Sequence, residues 1–205
     1  MNELTRGAII AAAAFFAGAI PFGVIVSRLF FRRDIREQGS GNIGAANALR
    51  TLGKRGAAAV LLLDALKGAI PVLATNRLGG PAELAAVAAV AAVAGHCFSP
   101  FLGGRGGKGV ATSYGAIWAL AWPAGATFTI VWIAAIIGIS YASVASMLAS
   151  AVMPLALWFV IGAPGLAYGI ASALLIMYTH RENLGRLRAG TENPLPLLAK
   201  RSPTR

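Results

Sequence analysis

From Gly109 to His180 the chain runs 72 residues without a formal charge. A helix crossing the hydrocarbon core of a bilayer needs about 20 apolar residues. The stretch therefore holds several crossings, and no water-soluble fold accommodates it. Basic residues stand at both ends, Arg105 and Lys108 before it and Arg181, Arg186 and Arg188 after it. Basic loops prefer the cytoplasmic side, so both ends are expected inside and the number of crossings even. Two crossings would make helices of 36 residues each, too long for a bilayer. Four fits better, and three breaks divide the stretch that way: Trp122 to Gly125, Gly138 to Tyr141 and Gly162 to Gly165. The first two pieces, 110–121 and 126–137, would each reach only about 20 Å at about 1.5 Å per residue. They suit either two short spans or a shallow re-entrant pair.

The rest of the chain is patterned the same way. No charge lies in the 21 residues between Arg6 and Arg28, which gives a first crossing. Its apolar run continues past Ala17-Gly18-Ala19 to Phe31, which argues against a cleaved leader. A second apolar segment, roughly 56–75, carries Asp64 and Lys67, and a third runs roughly 82–98. The expectation is an all-α integral membrane protein of seven helical segments, or five full spans plus a re-entrant pair. Of the 18 Lys and Arg, 15 fall in three regions, Arg28 to Arg55, Arg105 to Lys108 and the tail from Arg181. These regions are assigned to the cytoplasm, with the amino terminus outside and the carboxyl terminus inside. Charged residues make up only 12% of the chain, against about 25% in soluble domains. That excludes a cytosolic enzyme and a disordered chain, and the single Cys97 excludes a disulfide scaffold.

Three polar, glycine-rich, cationic segments then converge on one side. The first is Gly39-Ser40-Gly41-Asn42-Ile43-Gly44-Ala45-Ala46-Asn47, followed by Arg50. The second joins Gly95-His96 to Gly106-Gly107-Lys108-Gly109 and Thr112. The third holds His180, Asn183, Arg186 and Glu192. Glycines let backbone N–H groups approach an anion, a helix start adds its dipole, and Lys and Arg supply charge. Three such loops on one face point to a site for an anionic substrate. Lys108 fits best, at the start of an apolar helix.

Other motifs fail on context. Gly39-x-Gly41-x-x-Gly44 matches a dinucleotide fingerprint, but Asp64 lies in an apolar helix instead of a parallel sheet. Gly107-Lys108 lacks the flanking Gly and Ser/Thr of a P-loop. Two histidines, one cysteine and no paired carboxylates make a closed metal site unexpected. Asp64 and Lys67, three apart on one helix, suit an intramembrane ion pair.

On these residues the chain closely resembles the bacterial acyl-phosphate:glycerol-3-phosphate acyltransferase family, PlsY. The matches are Ser40-Gly41-Asn42-Ile43-Gly44 with Asn47 and Arg50; Gly95-His96, Phe98, Pro100 and Gly106 to Thr112; and His180, Asn183, Arg186-Leu187, Gly190 and Glu192. Asp64-x-x-Lys67-Gly68 and Ser143-x-x-Ser146 also look like the family. Ala46, Gly104 and Thr179 depart from it, standing where Thr, Phe and Arg are usual. The resemblance implies one membrane-embedded acyltransferase domain over residues 1–205, in the bacterial cytoplasmic membrane with its active site facing the cytoplasm. It implies acyl transfer from acyl-phosphate to the 1-hydroxyl of glycerol 3-phosphate, giving lysophosphatidic acid and phosphate, the first step of phospholipid synthesis. Lys108 and Arg50 would neutralise phosphate charge, and Ser40, Asn42 and His180 would complete the catalytic set. Gly41, Gly44, Asn47, His96, Gly106, Gly107, Gly109, Ser143, Ser146, Asn183 and Glu192 would bind substrate. His180 could act as general base or as a phosphate ligand. No metal, organic cofactor or nucleic acid is expected; an enzyme supplying acyl-phosphate is an expected partner. The competing expectation is a small transporter or channel for an organic phosphate anion, although no inverted repeat is visible. A thioester-dependent acyltransferase is disfavoured, since neither histidine begins a His-x-x-x-x-Asp pattern.

Overall fold

A computed structural model describes residues 2–195. Lys200, Arg201 and Arg205, which contribute to the basic tail, lie outside the described residues. The described chain is helical and contains no strand among those residues. Helix α1 (Glu3–Ala19) starts where the Asn2 side chain accepts a hydrogen bond from the Thr5 amide, at 2.8 Å. It breaks at Ile20-Pro21 and continues as α2 (Phe22–Phe31). A short 3-10 turn and α3 (Ala45–Thr51) follow, then α4 (Gly53–Arg77), α5 (Ala82–Cys97) and α6 (Val110–Leu120). The chain ends in α7 (Trp122–Ile139), α8 (Ala142–Thr179) and α9 (Arg181–Arg188). Large apolar side chains such as Leu62, Leu73, Ile130, Phe159 and Leu174 cover the outside, as in a protein whose solvent is lipid.

Five stretches are long and apolar enough to cross a bilayer: Glu3–Phe31, Gly53–Arg77, Ala82–Leu102, Trp122–Ile139 and Ala142–Thr179. The last, of 38 residues, is two segments folded back at Gly162, whose φ of 67° and ψ of −144° are not helical. A Cβ at Gly169 would lie 2.6 Å from the Pro154 Cα, an approach that a continuous helix would forbid over 15 residues. This is the break expected at Gly162 to Gly165. The expectation at Trp122 needs correction. The break falls at Ala121, and Pro123 sits in the first turn of α7, where a missing N–H costs nothing. Helix α7 therefore has 18 residues and is not short, whereas α6, with 11, is.

Two seams hold the frame. Between α1 and α5, a Cβ at Gly18 would stand 2.0 Å from the Ala92 carbonyl oxygen. Between α4 and α6, a Cβ at Gly115 would stand 1.9 Å from that of Ala65. The helix backbones touch there, which is how helices associate when lipid removes the hydrophobic drive. These seams bring the ends of α3, α5, α6, α8 and α9 around one cavity.

Candidate active site

The cavity holds about 370 Å³. Its polar wall is formed by Ser40, Asn42, Gly44, Asn47 and Arg50 from the first segment, and by His96, Lys108 and Gly109 from the second. Ser143 and Ser146 come from the start of α8, His180 and Asn183 from its far end and α9, and Glu192 from the segment that follows α9. Arg186 and Asp64 join them. Gly41, Gly106 and Gly107 do not line it, contrary to expectation.

Local hydrogen bonding explains these placements. Asn47, buried, accepts from the Ser40 amide at 2.9 Å and donates to the carbonyls of Ile35, Gln38 and Asn42 at 3.1, 3.0 and 2.8 Å. All its polar atoms are engaged, so it shapes the first loop instead of offering a group to substrate. The Gly44 amide donates to Asn42 Oδ1 at 2.9 Å, and the Gly41 amide to the Gln38 carbonyl at 3.0 Å. In the second loop the amides of Gly106 and Gly107 donate to the carbonyls of Cys97 and His96, each at 3.0 Å. These amides do not form the expected phosphate nest. A Cβ at Gly107 would lie 2.1 Å from His96 Nε2, so glycine is needed there because the loop lies flat on the imidazole.

That loop delivers Lys108. Its Nζ donates to Asn183 Oδ1, and its backbone carbonyl accepts from Thr179 Oγ1 at 3.1 Å. Thr179 was read only as a departure from a family pattern; it is a clamp on the lysine's backbone. Burial and the neighbouring Arg186 guanidinium push the Lys108 ammonium down to about 8. Glu192 gathers the other side. It accepts from Ser143 Oγ at 2.8 Å, Asn183 Nδ2 at 2.6 Å and Arg186 Nε at 2.8 Å. Burial alone would raise its carboxyl, but these bonds outweigh burial and hold it below the usual value. Asn193 offers its carbonyl to Arg50 Nη2 at 3.1 Å, while Arg50 Nε is buried with no partner among the described residues. Ser146 donates to the Ala142 carbonyl at 2.7 Å and accepts from Trp132 Nε1 at 3.1 Å, so it is occupied.

His180 holds the Ile176 carbonyl through Nδ1 at 2.8 Å. A carbonyl only accepts, so Nδ1 carries the proton and a neutral ring has an acceptor at Nε2. Burial, then the charge of Lys108, lowers this imidazole to about 4, so it is neutral at pH 7. Deeper in, Asp64 Oδ1 lies 2.7 Å from Lys67 Nζ, the expected intramembrane pair, and 3.7 Å from His96 Nδ1. Lys67 also donates to the Ile20 carbonyl at 2.7 Å, left open by the α1–α2 break. Beside the polar groups, the apolar side chains of Val110, Ala111, Tyr114, Phe128, Trp132 and Ile133 also line the cavity. The cavity thus offers surfaces for both an anion and a hydrocarbon chain.

Comparison with known proteins agrees with this composition. The model of the glycerol-3-phosphate acyltransferase family matches residues 8–190. A glycerol-3-phosphate acyltransferase of a Bradyrhizobium species is 46% identical over 179 residues, covering 87% of this chain and 89% of the relative. One from Brucella anthropi is 43% identical over 182 residues, covering 88% and 89%. The crystal structure of PlsY (YgiH), an integral membrane glycerol 3-phosphate acyltransferase, in its glycerol 3-phosphate form superposes with a TM-score of 0.87 at 35% identity, covering 95% of this chain and 100% of that one. Its lysophosphatidic acid form gives 0.83 at 34% identity, covering 92% and 95%. An amphiphilic cavity walled by three ordered motifs, in a frame shared along almost the whole chain, belongs to one lineage: this protein is a member of the glycerol-3-phosphate acyltransferase family.

Proposed function

We propose that the protein transfers a fatty acyl group from an acyl-phosphate to the 1-hydroxyl of glycerol 3-phosphate at the cytoplasmic face of the bacterial inner membrane. The observation that carries this reading is that Lys108, Arg50 and Arg186 line the same cavity as a set of aromatic and aliphatic side chains. Both substrates carry phosphate and one carries a long chain. The solved relative's glycerol 3-phosphate and lysophosphatidic acid forms support the acceptor and the product. The donor is supported by what the cavity wall offers. Cys97 is not on it, and no serine there hydrogen-bonds a histidine among the described residues. A donor whose phosphate is already a good leaving group requires no acyl-enzyme.

In this mechanism the glycerol 3-phosphate C1 oxygen attacks the acyl carbonyl carbon. A new C–O ester bond forms, and the bond between that carbon and the phosphate oxygen breaks. His180 Nε2 accepts the hydroxyl hydrogen bond and aligns the nucleophile; the proton ends on a substrate phosphate oxygen, which leaves as hydrogen phosphate. Lys108 and Arg50 offset the charge of two anions held together, so the protein's contribution is proximity and electrostatics. Topology supports the cytoplasmic assignment. Seven crossings, with α1–α2 counted once, α8 twice and the 11-residue α6 included, would put every polar segment on the same side, in keeping with their meeting at one cavity. An enzyme that makes acyl-phosphate is the expected supplier.

The test is purified protein in detergent with acyl-phosphate and glycerol 3-phosphate, scoring phosphate and lysophosphatidic acid together. Equal amounts of the two products are expected. Transfer from an acyl thioester but not from acyl-phosphate would overturn the donor assignment. Reporter fusions beyond α9 that read out on the external face would overturn the topology.

A further inference from the structure

The floor of the cavity holds groups that the mechanism above does not use. Asp64 is completely buried and His96 is 3% exposed, yet both line the cavity. Asp64 Oδ1 is taken by Lys67 Nζ at 2.7 Å, but Oδ2 is buried with no hydrogen-bond partner among the described residues. His96 Nδ1 is likewise without a hydrogen-bond partner, 3.7 Å from Asp64 Oδ1. Buried polar atoms are almost always satisfied, so an orphaned carboxylate oxygen on a cavity wall marks a place for a donor.

The chemistry of that donor follows from charge. A carboxylate repels phosphate, so the anionic end of a substrate belongs with Lys108 and Arg50. A fully ionised acyl-phosphate has no hydrogen to donate. Glycerol 3-phosphate has two hydroxyls; the first must reach the acyl carbonyl, which leaves the second. Resting on the function proposed above, we infer that Asp64, with His96, forms a subsite that binds the 2-hydroxyl of the acceptor and so selects a glycerol backbone. Lys67 makes the floor electrically neutral, which lets an anionic substrate approach a carboxylate. Asp64 is thereby a specificity-determining residue.

The probe is 3-hydroxypropyl phosphate, which keeps the reacting hydroxyl and the phosphate but lacks the 2-hydroxyl. A hydrogen bond to a charged group predicts that the wild type prefers glycerol 3-phosphate by roughly 10–150-fold in kcat/KM. Asp64→Asn keeps the shape but presents an amide, and the preference should fall to about threefold or less. A wild type that uses both acceptors equally overturns the subsite, and the floor then holds only water. A preference that survives unchanged in Asp64→Asn, with both acceptors slowed alike, overturns the assignment and leaves Asp64 a structural group. Should Asp64→Asn fail to fold, the same ratio in His96→Gln decides, and the wild-type ratio alone still suffices to reject. Absence of any transfer to glycerol 3-phosphate is a different result: it removes the proposed function and this inference with it.

Discussion

Two buried polar clusters lie in this protein, and they have been left in opposite states. Between α6 and α8, Ser113 Oγ is 2.9 Å from the Tyr168 hydroxyl and 2.7 Å from Ser172 Oγ. Every hydroxyl of that trio has a partner. At the cavity, Arg50 Nε, Asp64 Oδ2 and His96 Nδ1 have none among the described residues. The closed trio ties helices together where lipid provides no hydrophobic drive. The open cluster stabilises nothing by itself and is retained at a cost of about 1–3 kcal/mol per unsatisfied group.

Substitutions should separate the two clusters by readout. The largest effect is expected from Lys108→Ala, which removes a charge from the cavity wall. It should lower kcat/KM for glycerol 3-phosphate by roughly 10–150-fold, with an unchanged melting curve. Lost folding in place of lost activity would move Lys108 to the structural class. The same ammonium gives a pH signature. It is charged below about 8 and loses its proton above that value. The kcat/KM for glycerol 3-phosphate should therefore fall by up to about tenfold per pH unit on the alkaline side, and a flat profile to pH 10 would contradict a binding charge there. Tyr168→Phe acts on the closed side. It should cost about 0.5–1.5 kcal/mol of stability, read by thermal unfolding, with kinetic constants within twofold of wild type. The smallest effect is expected for Cys97→Ser, which should stay active within about twofold. Capture of labelled acyl chain on Cys97 would instead require a covalent intermediate.

The frame was legible because charge is so sparse. A gap between charges located α1–α2, apolar runs located α4 and α5, and Gly162 announced the fold-back in α8. Trp122-Pro123 was misread because proline signals a break without saying on which side the helix lies; here it opens α7. In the site, residue types and loop order identified the cavity wall. The hydrogen bonds of Gly106 and Gly107 were invisible, since they close onto the carbonyls of α5 through a loop whose path no local pattern encodes. Thr179 was noticed only as an exception, because its bond to the Lys108 carbonyl spans 71 residues. The Asp64–Lys67 pair could be read from helical spacing; the placing of His96 beside it depends on α4 and α5 packing together.

The segment carrying Glu192 has a consequence for biogenesis. Arg50 is held by a carbonyl 143 positions further along, and the Leu195 amide fastens to the Ser140 carbonyl at 2.8 Å. Early helices therefore enter the membrane with half of a cationic pocket that has no opposite wall. Glu192 neutralises and orients that pocket only after residue 195 has left the ribosome. The hydrogen bonds of Glu192 to Ser143, Asn183 and Arg186 are thus among the last of the site to form during synthesis.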